Sequence, residues 1–293
     1  MISPTFMIEL PAALHWIEGS PEGREWVRQL PDRARACSDK WELRLQAPYK
    51  NSFVSIVYPA TRRDGSRAVL KLQYPHHESD NEHEALRRWD GNGAVRLFDY
   101  DSAHDALLLE RCEPGVPLST VDADKAVDVF VSLLPRLWIP AAEPFTSLAD
   151  ESAAWITHVP AEWERAGRPF ETRLLDLALE SLDRLRGTQG GQVLLHQDLH
   201  ADNVLRAVRE PWLVIDPKPL VGEREFSLAP IVRSNALGHS RADVVRRLDR
   251  LATNLRLDRE RARLWALGQT VAWGCEGLHA SRHIETARWL SEA

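Results

Sequence analysis

The sequence predicts an α+β protein with two lobes, a small antiparallel sheet in its N-terminal part and a mainly helical C-terminal part. Three observations predict it. From about residue 51 to residue 110, short β-rich runs alternate with turns around one charged helix. Beyond residue 122, apolar residues recur at three- and four-residue spacing, the mark of amphipathic helices. Between these regions, Cys112-Glu113-Pro114-Gly115 breaks both patterns. The expected division is therefore residues 1–111 and residues 112–293.

The first ~45 residues read as helical, ending in the amphipathic stretch around Trp41–Leu45. Asn51–Tyr58 and Arg67–Tyr74 read as strands, joined by Arg63-Asp64-Gly65, whose Asp-Gly pair favours a hairpin. A helix is expected from Ser79 to Trp89, closed by Asp90-Gly91-Asn92-Gly93, followed by strands at Ala94–Tyr100 and Ala106–Glu110. Helices are expected at Asp122–Trp138, Ser152–Ala166 and Phe170–Arg186, and again from about Arg241 to the end. Short strands at Gln192–Leu195, Val204–Arg206 and Trp212–Ile215 interrupt them.

Composition excludes several classes. The 293 residues are 44% hydrophobic and 27% charged, as in ordinary globular proteins with a sizeable core. A net charge of −6 argues against a general nucleic-acid binder and suits a cationic small substrate. The three cysteines, Cys37, Cys112 and Cys275, are too few and scattered for a disulfide framework or zinc site; they read as buried thiols of a cytoplasmic protein. No apolar run approaches the roughly 18–20 residues of a membrane span. The N-terminal segment also lacks the basic start and small-residue cleavage site of an export signal. Nothing in the sequence calls for an obligatory protein partner. Eleven tryptophans indicate an aromatic-rich core or pocket wall.

The informative segment runs from residue 194 to residue 222. It holds His196-x-Asp198, then Asn203 five residues after the aspartate, then Asp216 after an apolar strand. Phosphoryl transfer from a nucleotide needs a carboxylate to orient the attacking hydroxyl and oxygen ligands to hold magnesium against the phosphates. Asp198 fits the first role, and Asn203 and Asp216, as hard oxygen donors, fit the second. Each adjoins an apolar strand that would fix it. His196 serves by packing and hydrogen bonding as readily as by proton transfer. The ordinary alternative, turn formers in a solvated loop, does not account for an aspartate closing the next strand.

A cation for the phosphates is expected from the strand-rich part. Lys71 sits inside the apolar run Ala68-Val69-Leu70-Lys71-Leu72. An interior lysine is costly unless paired, so a carboxylate on the next helix, Glu82 or Glu84, should accompany it. A lysine on an edge strand facing water would be the plain reading elsewhere.

The order Lys71, Glu82, Glu110-Arg111-Cys112, Asp198, Asn203, Asp216 resembles the aminoglycoside phosphotransferase family, and within it the streptomycin kinase and hydroxyurea phosphotransferase group. The stretches that carry this are AVLK (68–71), RWDGNGAVRL (88–97), LLLER (107–111), HQDLHADNVL (196–205) and WLVIDPKPLVG (212–222). The resemblance implies a protein-kinase-like fold, ATP and magnesium as cofactors, and a small-molecule hydroxyl as acceptor. It also implies that Lys71 contacts the α- and β-phosphates and pairs with Glu82. Main-chain groups of Glu110, Arg111 and Cys112 would hold adenine, with Ser52 a further nucleotide contact. Asp198 would position the acceptor hydroxyl as a catalytic residue, together with His196 and Asn203, with Asn203 and Asp216 the magnesium ligands.

Three departures stand out. Gln197 and Asp202 replace glycines common in related kinases. The stretch Asn51–Val54 has no glycine, so it is not the Gly-rich loop of protein kinases, and Lys218 stands where those enzymes carry a regulatory Phe-Gly pair. For a guanidinium-bearing or polyamine-like acceptor, Trp155, Glu223, Trp273 and Glu276 are candidate lining residues, Trp273 and Glu276 sharing a face of a predicted helix. The expected activity is a resistance-type O-phosphotransferase. A metabolite kinase of the same fold is the alternative, and a non-catalytic pseudokinase is disfavoured by the intact Lys71, Asp198, Asn203 and Asp216.

Overall fold

The strand-rich run forms one five-stranded antiparallel sheet in the order β1-β2-β3-β5-β4. Its strands are β1 (Arg44–Leu45), β2 (Ser55–Thr61), β3 (Arg67–Gln73), β4 (Leu97–Asp101) and β5 (Ala106–Glu110). These belong to a computed structural model that describes residues 10–50, 52–275, 277 and 279–293. Asn51, where the first strand was expected to begin, and Glu276 lie outside the described residues. The chain divides into two units, Met1–Gly91 with Val95–Cys112, and Asn92–Ala94 with Glu113–Ala293.

In the first unit, α1 (Pro21–Lys40) starts at Ser20, whose side chain accepts the Gly23 N–H, with Pro21 at the first helical position. Its buried face, Trp26, Leu30, Ala34 and Cys37, packs on Ile56, Tyr58, Leu70, Leu72 and Leu108 of the sheet. The Trp26 indole donates to the Gln73 carbonyl at 3.0 Å. Side chains alternate across a strand, so Leu70 and Leu72 face α1 while Lys71 points to the other face. The β2–β3 connection turns at Arg62–Ser66, with Gly65 at φ +85 and Asp64 accepting the Ser66 N–H at 2.9 Å. Helix α2 (Glu82–Trp89) begins three residues later than expected, because a 3-10 turn at His77–Ser79 and a left-handed Asn81 (φ 64) precede it.

The second unit holds α3 (Ala123–Leu137), α4 (Leu148–Arg165) and α5 (Thr172–Arg186), then β6 (Val193–His196), β7 (Val204–Arg206), β8 (Trp212–Val214) and β9 (Pro219–Gly222). It closes with α6 (Leu228–Val232), α7 (Arg241–Leu255), α8 (Arg259–Ala272) and α9 (Ala280–Ser291). Helix α4 starts ahead of the expected Ser152, since Ser147 caps it by accepting the Asp150 N–H at 3.0 Å. Ala94 was expected to open a strand of the large sheet; it instead bridges to Val214 in the second unit. Helix α8 is the hub: every residue from Ala262 to Ala272 is buried, so its sequence shows no polar face. Among the described residues, no helix is long and apolar enough to cross a membrane.

Candidate active site

Two short antiparallel ladders hold the informative segment. β6 pairs with β9, setting His196 opposite Pro219, and the Gln197 N–H donates to the Lys218 carbonyl at 3.0 Å. β7 pairs with β8, and the Ile215 N–H donates to the Asn203 carbonyl at 3.0 Å. Asp198 thus leaves β6, Asn203 enters β7, Asp216 leaves β8 and Lys218 enters β9. Polar residues at strand ends, with apolar residues locking the strands, are what the segment's pattern anticipated.

His196 ties these ladders together. Its Nε2–H donates to the Ile215 carbonyl at 3.1 Å, and its Nδ1 accepts the Asp198 N–H at 3.2 Å. Burial pushes its pKa down to about 4, so the imidazole is neutral at ordinary pH. With one nitrogen donating and the other accepting, His196 orients the loop; its proton is committed. The Asn203 Nδ2 donates to the Asp198 carbonyl at 2.9 Å, which fixes the amide and leaves its side-chain oxygen as the available donor atom for a cation.

The Asp198 carboxylate is bracketed by nitrogen-bearing side chains. Arg233 Nη2 lies 3.0 Å from Oδ1, Lys218 Nζ 3.4 Å from Oδ2, and His200 Nε2 3.8 Å from Oδ2. Burial alone would raise its pKa; Lys218, His200 and Arg233 outweigh that and hold the carboxyl below its usual value. Asp216 adopts a left-handed backbone, φ +54, uncommon for a residue other than glycine and frequent at functional turns.

In the first unit, Lys71 Nζ lies 2.5 Å from Glu82 Oε2, and Gln73 Nε2 donates to the same oxygen at 2.8 Å. Lys71 is 4% and Glu82 1% exposed, so the pair is interior. Glu84 is not the partner; it pairs with Arg87 and Arg88 on its own helix. Glu110, Arg111 and Cys112 follow one another at the end of β5, and the Ser52 hydroxyl is 2.9 Å from that of Ser55.

The expected acceptor-lining residues need correction. Trp155 is core, stacked on Phe226 with ring centroids 6.2 Å apart. Glu223 is 3% exposed, and its oxygens already accept from Arg261 at 2.8 Å, the Gly190 N–H at 3.0 Å and the Trp265 indole at 2.5 Å. A carboxylate so saturated is a structural strut, not an acceptor contact. Trp273 ends α8 as its C-cap, so the helix expected to carry it closes at that residue. Its ring meets the chain's own cations, Arg233 at 3.9 Å and Lys218 at 5.1 Å. Gln197 is 1% exposed and taken up by packing, whereas Asp202 is exposed and its carboxylate accepts from Ser119.

Among the described residues, one group, Cys37, Asp101 and His104, brings metal-competent atoms within 4.8 Å of one another. The Lys40 ammonium sits 2.9 Å from Asp101, and burial pushes the Cys37 thiol up to about 11, so the cluster is an ion pair beside a neutral thiol.

Sequence reasoning missed Arg233. The signal was present: a lone cation follows the apolar run Leu228-Ala229-Pro230-Ile231-Val232, the same logic that singled out Lys71.

A strand unit with an interior Lys–Glu pair, and a helical unit presenting Asp198, Asn203 and Asp216 from strand ends, define a kinase-like phosphotransferase. Solved structures agree on the fold: choline kinase LicA from Streptococcus pneumoniae matches 92% of this chain and 99% of its own at TM-score 0.63 and 12% identity. An aminoglycoside phosphotransferase, APH(4)-Ia, solved with AMP-PNP and hygromycin B, matches 88% of this chain and 95% of its own at TM-score 0.58 and 15% identity. The chain belongs to the aminoglycoside/hydroxyurea antibiotic resistance kinase family, whose profile matches residues 40–281. It is 40% identical to streptomycin 6-kinase from Streptomyces griseus over 88% of this chain and 87% of that protein. It is likewise 40% identical to hydroxyurea phosphotransferase from Kitasatospora aureofaciens, over 90% and 79%. The protein is a small-molecule kinase.

Proposed function

We propose that the protein transfers the γ-phosphoryl group of ATP to a hydroxyl of an antibiotic-type acceptor, a streptomycin-like aminoglycoside or hydroxyurea. The carrying observation is the Asp198 carboxylate, fixed at one oxygen and its loop pinned by His196 and Asn203. Relatives named for streptomycin and hydroxyurea, each 40% identical over most of both chains, support the acceptor class.

In this reading Lys71 contacts the α- and β-phosphates, and Glu82 fixes its ammonium. Main-chain groups of Glu110, Arg111 and Cys112 hold the adenine, and Ser52 is a further nucleotide contact. Magnesium fits the donor set: Asn203 offers an amide oxygen whose nitrogen is already engaged, and Asp216 a carboxylate. When bound, that ion neutralises charge on the phosphates. Asp198 orients the acceptor hydroxyl and takes its proton as the new oxygen–phosphorus bond forms. The bond from the γ-phosphorus to the bridging oxygen breaks, and ADP leaves. In this reading the reaction calls for no protein partner, and an ATP-dependent activity suits a cytoplasmic protein.

Two measurements test this reading. ADP release is expected to rise well above the acceptor-free rate with streptomycin-type aminoglycosides or with hydroxyurea; a rise only with sugars, amino alcohols or other common metabolites would contradict the acceptor class. Asp216→Asn keeps a residue that tolerates the left-handed backbone and removes one negative charge. It is expected to weaken the magnesium dependence of nucleotide binding about tenfold or more, the scale of a lost charged metal ligand or partner. An unchanged magnesium titration would remove Asp216 from the metal site.

A further inference from the structure

Helix α8 and its C-cap reach Asp198 along two routes. The Gln269 side chain, fully buried, donates to the Gln197 carbonyl at 2.8 Å and so pins the residue before Asp198. Trp273, one turn on, lies under the Arg233 guanidinium at 3.9 Å, a stacking distance. The Trp273 carbonyl accepts from His283 Nδ1 at 3.0 Å, which anchors that end of the helix to α9.

Arg233 is held at its backbone as well. The buried Arg247 guanidinium donates to the carbonyls of Val232 at 2.6 Å and Ser234 at 3.0 Å, the neighbours on either side. Arg233 is itself 5% exposed. An arginine fixed at main chain and at guanidinium plane, and donating to one carboxylate oxygen, cannot swing with its partner. It therefore sets the rotation of the Asp198 carboxylate. Oδ1 takes the Arg233 bond at 3.0 Å, while Lys218 and His200 lie farther from Oδ2, at 3.4 and 3.8 Å.

We propose that Arg233, stacked on Trp273, is a positioning residue that turns the Asp198 carboxylate so that Oδ2 meets the acceptor hydroxyl. The proposal rests on Asp198 being the group that orients the acceptor. It assigns Trp273 to the support of the catalytic carboxylate in place of the acceptor contact expected from sequence. Small rotations matter here, because a misplacement of about 1 Å at a reacting group costs on the order of 10²-fold in rate.

The test compares Arg233→Met, Arg233→Lys and Trp273→Leu in the full chain, with and without Asp198→Asn, reading kcat and the KM for ATP. Arg233→Met is expected to lower kcat about 10- to 100-fold with the ATP KM within about twofold. Arg233→Lys, which restores the charge, is expected to recover at least about threefold of that loss, and Trp273→Leu to lower kcat about three- to tenfold. In the Asp198→Asn background, Arg233→Met is expected to change kcat by less than about twofold, since residues that act as a unit do not add. Equal loss in both backgrounds would mark Arg233 as merely structural and overturn the proposal. If Arg233→Met does not fold, wild-type kcat in both Arg233→Lys and Trp273→Leu overturns it. Failure of the proposal alone is an inactive Asp198→Ala beside fully active Arg233 variants; an active Asp198→Ala removes the reading beneath it.

Discussion

Asp198→Ala is expected to lower kcat by about 10²- to 10⁴-fold, the usual worth of a positioned acid–base group. ATP binding should not weaken. Arg233 and Lys218 would lose their shared anion, at 3.0 and 3.4 Å, and the added positive field favours a polyanionic nucleotide. Steady-state kinetics with saturating acceptor, paired with equilibrium nucleotide binding, separates the two effects. Retention of more than about a tenth of the wild-type rate would contradict the role given to Asp198.

Glu82→Ala is expected to destabilise the folded protein by about 3–5 kcal/mol, the cost of removing one partner of a buried ion pair. The Lys71 ammonium, in a residue only 4% exposed, would lose the carboxylate now 2.5 Å away. Against a total stability of about 5–15 kcal/mol, that is a large share. The double variant Lys71→Met/Glu82→Leu should regain most of the loss while remaining inactive, because an apolar pair fills the space without presenting a cation to the phosphates. Urea midpoints of the single and double variants check this. A loss below about 1 kcal/mol in Glu82→Ala would show that the pair is not desolvated as described.

How far the sequence carried the reading depends on the range of each interaction. β5 and β7 match their expected spans, Ala106–Glu110 and Val204–Arg206, because β-rich runs bounded by turn residues are local signals. β9 was not expected, since proline and glycine are uncommon inside strands and its pairing to β6 is set by tertiary structure. The family and the placement of Asp198, Asn203 and Asp216 at strand ends were legible because they sit in contiguous motifs. The acceptor side was not. Trp155 and Glu223 looked like pocket residues, but Phe226, Arg261 and Trp265 draw them into the core through contacts that no spacing encodes. The Arg233–Asp198 contact spans 35 residues and depends on α8, whose all-round burial hides its orientation.

Phosphorus-31 NMR of a reaction containing the protein, magnesium, ATP and streptomycin or hydroxyurea tests the central claim most directly. A new phosphoester resonance is expected, growing one for one with ADP and missing with Asp198→Ala. ADP accompanied only by inorganic phosphate, or the same phosphoester formed by Asp198→Ala at the wild-type rate, would contradict it.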